Sequence, residues 1–99
     1  MKSKAAIQLE YRSVCAQASK LEASADELAQ IRNQLDILVD NLRDGWAGES
    51  ANLYFQKCEA LSRKISTSQK DLDKIASVIR RTAKIYRDTE MAAIAAVQD

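Results

Sequence analysis

Residues 41–50 read NLRDGWAGES. They hold the only tryptophan of the chain, Trp46, and its only two glycines, Gly45 and Gly48. The stretch falls almost at the midpoint of 99 residues that include no proline. Glycine and proline are the strongest punctuation of backbone structure. A chain that confines them to one central stretch has one place to turn, with long uninterrupted segments on either side.

Both flanking segments carry helical periodicity. Before the turn, Ile7, Val14, Leu21, Leu28, Leu35 and Leu42 recur at seven-residue steps. Tyr11, Ala18, Ala25, Arg32 and Val39 form a companion column, apolar except at Arg32. Their alternating spacing puts both columns along one seam of a continuous helix. Ile31, Leu35, Leu38 and Leu42 add a second stripe near the turn. After the turn, Ala51, Cys58, Ile65, Leu72, Ile79 and Tyr86 form one column. Tyr54, Leu61, Ser68, Ile75 and Thr82 form another, more polar, with Phe55, Val78 and Ile85 to the side.

The pattern predicts an all-α fold in a single domain over residues 1–99. One helix covers about 4–43, a turn about 44–49, and a second helix about 50–90, with helix-forming residues continuing to 96. Gly45 suits a left-handed helix cap, Gly48 allows a second reversal, and Ser50 or Gly48 can cap the second helix. So short a link makes the helices antiparallel neighbours, with paired positions summing to about 91. That sets Arg32 against Glu59, Cys15 beside Ala76 and Cys58 beside Asn33. The expected core of the hairpin or its dimer is Val14, Leu21, Leu28, Leu35, Leu42, Leu61, Ile65, Leu72, Ile75 and Ile79. Stripes wider than one seam ask for more than two helices. A second chain would supply them, most simply as a two-fold dimer forming a four-helix bundle.

Charge and chemistry exclude much else. The formal net charge is +1, and neither half is a strong polyelectrolyte, so no nucleic-acid partner is implied. RRTAKIYR, residues 80–87, reads as a solvated helix face. Without histidine, Cys15 and Cys58 cannot build a zinc site or a Cys–His nucleophile. They read as small packed residues that fold in a reducing cytoplasm. No phosphate-binding loop or nucleophile elbow occurs, and Asp71 and Asp73 diverge on a helix. The expectation is therefore no enzyme, no catalytic or metal residue, no cofactor and no small-molecule substrate. The start, MKSKAAIQLEYRS, lacks the apolar core of a signal peptide, and MAAIAAV, residues 91–97, is too short to span a membrane.

The ordered pattern is uninterrupted heptads, Trp46-Ala47-Gly48 at the midpoint, more heptads, then YRDTE at residues 86–90. It resembles the W-x-G family of small type VII (ESX) secretion substrates, the early-secreted-antigen family. Many members carry a Tyr-x-x-x-Asp/Glu tail motif, matched here by Tyr86 and Glu90. A longer helical form adds apolar positions, matched by Ala93 and Val97.

The resemblance implies a small non-enzymatic protein made in the bacterial cytoplasm. It would be exported, without a general N-terminal signal, to the cell surface or medium as a folded helical dimer. The implied roles are secretion adaptor or virulence-associated factor. Implied partners are a second copy, a sibling W-x-G protein or a toxin, and the membrane-bound secretion ATPase that reads the tail. One alternative is a targeting chaperone that pairs with the helical N-terminal region of a larger toxin. Another is a coiled-coil adaptor unrelated to secretion. The tail after Glu90 has little of its own to pack against and is expected to fray in the free chain.

Overall fold

The computed structural model describes residues 2–98. Helix α1 spans Lys4–Arg43 and helix α2 spans Glu49–Gln98; no strand occurs among the described residues. Ser3 caps α1: its hydroxyl accepts the Ala6 amide at 3.1 Å, and its carbonyl accepts the Ile7 amide at 3.1 Å. Arg43 in the last turn of α1 and Glu49 in the first turn of α2 each oppose the local end of the helix dipole.

The turn differs from expectation at one glycine. Gly48 is the residue with positive φ, at 118°, and Gly45 is not in that region. The Gly45 amide instead donates to the Leu42 carbonyl at 3.2 Å, a tightened last turn of α1. Gly48 does the rest, since its carbonyl accepts the Asn52 amide at 3.0 Å and so begins α2. One residue able to take a conformation closed to L side chains suffices to separate the helices.

The chain forms two compact units. One is Ala23–Leu72, a helix–turn–helix hairpin. Its buried residues are Ala25, Val39, Ala51, Phe55 and Ser62. Val39, Ala51 and Phe55 cluster, with Leu35, Leu42 and Cys58 packed against them. Cys58 therefore lies against Val39 and its neighbours rather than beside Asn33.

The other unit gathers the chain up to Glu22 and from Asp73 onward. There the two segments run antiparallel, since Tyr86 reaches Glu10 while Arg80, earlier in α2, reaches Ser19 and Glu22. Ile7, Ala18, Ala76, Ala83 and Ile94 are buried in it.

On α1 the column with Ala18, Ala25 and Val39 is buried most deeply, and the column from Ile7 to Leu42 is buried or half-buried apart from the exposed Val14. On α2 the second buried column is Phe55, Ser62, Ala76 and Ala83, one residue later than the expected Tyr54, Leu61, Ile75 and Thr82. Small side chains let the helix backbones approach, and Phe55 can be buried without the hydroxyl that Tyr54 would strand. The bulkier Leu61 and Ile75 lie exposed on the flank.

The register is also shifted. Arg32 does not meet Glu59. Its Nε and Nη1 donate to Ser62 and Ser66, each at 3.2 Å, and the Ser62 hydroxyl donates to Asp36 at 3.0 Å. Glu59 instead accepts from Arg43 at 2.6 Å. The physical reason is the tilt of side chains toward each helix N-terminus. In an antiparallel pair both partners that meet then lie farther along their own helices than backbone height alone predicts.

Candidate recognition surfaces at the turn and the tail

At the turn, Trp46 is 40% exposed. Its ring centroid lies 5.5 Å from that of Tyr54 and 5.7 Å from that of Phe55. The Arg43 guanidinium sits 5.0 Å from the Phe55 centroid while it pairs with Glu59. The indole thus covers the buried end of Phe55 and keeps an open edge. Gly48, two residues on, sets the backbone path that allows this.

At the tail, α2 continues to Gln98, so residues 91–98 are helical in the single chain. Ile94 is buried and Met91 half-buried, which supplies the anchoring that the bare pattern of this segment lacked. Lys2, Ser3 and Lys4 line a shallow cavity with Ile94, Val97 and Gln98. Tyr86, Glu90, Ala93 and Val97 share one helix face by their spacing. Tyr86 is 37% exposed, Glu90 half-buried, Ala93 exposed and Val97 71% exposed.

The Tyr86 hydroxyl donates to Glu10 Oε2 at 3.1 Å and accepts from Lys2 Nζ at 3.2 Å; Lys2 also pairs with Glu10 Oε1 at 2.7 Å. The hydrogen bond from Lys2, then that from Tyr86, holds the Glu10 carboxyl below its ordinary value. Lys2 is raised by its own hydrogen bonds, to Glu10 first and then to Tyr86. Arg87 stacks its guanidinium 4.2 Å from the Tyr11 centroid.

Beside Tyr86 runs an apolar groove of about 430 Å³, lined by Glu10, Tyr11, Val14, Val78, Ile79, Thr82, Ala83 and Tyr86. The opposite flank of this unit is ionic. Arg80 donates to Ser19 at 2.8 Å and to Glu22, whose carboxyl it holds low. In the turn unit the same division holds. Arg32, Asp36, Arg43, Glu59 and Ser66 occupy one flank, and helix spacing puts Ile31, Leu38, Tyr54 and Leu61 on the other, where they are exposed.

Of the expected core residues, Leu21, Leu28, Leu35, Leu42, Ile65, Leu72 and Ile79 are half-buried in the single chain. Val14, Leu61 and Ile75 are exposed on the apolar flank. Lys2 and Glu10 escaped the sequence reading. Neither has a motif, and only the folded chain brings them to Tyr86. No group of metal-binding side chains occurs among the described residues, and both cysteines are free and half-buried.

The family model described as WXG100, proteins of 100 residues with WXG, matches residues 6–91. No curated protein and no solved structure matches the chain. The matched range takes in both flanks, the turn, Tyr86 and Glu90; Ala93 and Val97 lie beyond it.

Proposed function

The chain belongs to the WXG100 family, and on that premise we propose that it leaves the bacterial cytoplasm as a folded dimer whose tail face is the recognition element. Proteins of this family are small secreted helical substrates of type VII systems and are not known enzymes. The observation that carries the reading is the tail. Tyr86, Glu90, Ala93 and Val97 lie along one face of a continuous helix, beside an apolar groove and outside the buried seam. The exposed part of this face is available to a reader, for which the secretion ATPase is the candidate. Residues 86 and 90 stand one turn apart, so a partner helix can engage both side chains at once.

The dimer is supported by what each unit leaves uncovered. Val14, Ile75, Val78 and Ile85 in one unit, and Ile31, Leu38 and Leu61 in the other, are exposed apolar side chains. Contiguous apolar patches of this kind mark contact surfaces. A four-helix bundle formed by two chains would cover them.

Two measurements test the reading. Glu90→Ala and Tyr86→Ala should stop export while the protein accumulates, folded, in the cell. Light scattering should give twice the chain mass for the wild type and for both variants. Normal export of both variants removes the tail from the mechanism. A wild-type monomer that becomes a bundle only with a neighbouring gene product turns the reading to a targeting chaperone.

A further inference from the structure

Two side chains from the start of the chain and one from α2 close a ring at the tail. Lys2 touches Glu10 and Tyr86, and Tyr86 touches Glu10. The ammonium of Lys2 also lies 5.8 Å from the centroid of the Tyr86 ring. The Tyr86 hydroxyl therefore has its proton and an acceptor site engaged by the other helix and by the segment that precedes it. Ser3, one residue on, is the cap that directs the chain into α1.

The same short segment reaches α2 a second time. Lys2, Ser3 and Lys4 line a shallow cavity together with Ile94 and Val97, two to three turns beyond Tyr86. Chain ends fray unless something ties them down. Here Lys2 bonds α2 at the start of the tail, and residues 2–4 border one cavity with Ile94, Val97 and Gln98 near its end.

We propose that Lys2 and Glu10 are positioning residues for the tail face. They latch the Tyr86 hydroxyl, fix its ring at the groove wall and hold the following turns of α2 helical. Tyr86, Glu90, Ala93 and Val97 are then presented as one surface. This rests on the reading of that face as the recognition element. The latch presents rather than hides it, because Tyr86 stays 37% exposed with its hydroxyl bonded, and Ala93 and Val97 remain open.

The test uses the full chain and a charge exchange. Lys2→Glu and Glu10→Lys each place like charges together; the double variant restores an opposite pair that can still bond the hydroxyl. Tyr86→Phe keeps the ring and removes the hydroxyl. Amide hydrogen exchange over residues 87–98 should rise about twofold to fivefold in the three single variants, the scale of losing exposed polar contacts, with residues 23–72 unchanged. Export should slow in parallel. The double variant should return both toward the wild type.

Unchanged tail exchange in the single variants overturns the proposal. So does faster exchange with normal export, or a double variant no better than either single one. If the exchange-altering variants are exported normally while Tyr86→Ala and Glu90→Ala are blocked, the latch falls and the tail motif stands. If Tyr86→Ala and Glu90→Ala are themselves exported normally, both readings fall together.

Discussion

Trp46 stands edge-on to Phe55, with ring centroids 5.7 Å apart and planes inclined by 74°. This is the favourable geometry for two aromatic quadrupoles. It joins the residue that marks the turn to the first large side chain buried in α2. Trp46→Ala should therefore cost stability as well as recognition. Because the indole is partly open, the loss should be about 1–2 kcal/mol, less than for a fully buried tryptophan. Thermal melts followed by circular dichroism check this; an unchanged midpoint would show that the ring pair contributes nothing to the fold.

The two glycines should respond in opposite directions. Gly48 has φ of 118°, which an L side chain resists whatever space surrounds it. Gly48→Ala should destabilise by more than about 1 kcal/mol. Gly45 is outside that region, and a Cβ there meets nothing within 4 Å. Gly45→Ala should be neutral or stabilise by up to about 1 kcal/mol, by restricting the unfolded chain. Denaturant titration of both variants distinguishes the roles, and equal effects would refute the assignment.

Ala76 is buried without residual exposure on the close-approach column of α2. Ala76→Leu should force the two segments apart and cost about 1–3 kcal/mol. Ile75→Ala, one residue away on the flank, should barely change the stability of the single chain but should weaken self-association. Urea unfolding and light scattering measure the two effects. The reverse result would mean that the columns of α2 are exchanged.

Acid should loosen the unit that contains Arg80 and Glu22. The Arg80 hydrogen bond, then its charge, lowers the folded-state value of the Glu22 carboxyl, and Glu10 is lowered by Lys2 and Tyr86. A depressed folded value means the unfolded chain takes up the proton first. The stabilisation is complete above the ordinary value of 4.5 and is lost as pH falls through the lower folded value. Melting midpoints should drop as the solution is acidified through that window, and less steeply in Glu22→Gln. A Glu22→Gln profile parallel to that of the wild type would show that the Arg80 pair carries no pH dependence.

The amino-acid sequence by itself determined the two helices, the place of the turn and the seam of α1. It did so because helix periodicity and the confinement of glycine are local properties, written residue by residue. The excess of apolar side chains over one seam was legible for the same reason, and so was the linear order of Trp46, Gly48, Tyr86 and Glu90. The tertiary structure decided which of two adjacent stripes on α2 turns inward. Periodicity places residues on a face only to within a column, and the choice falls to the small side chains that permit the closest approach. Register was likewise a tertiary matter, since it depends on how side chains of opposed helices lean toward each other. The contacts of Lys2 and Glu10 with Tyr86, and the cavity that residues 2–4 share with Ile94 and Val97, join parts of the chain separated by more than seventy residues. No local pattern encodes such a contact, because it exists only once α2 has returned alongside the start of α1.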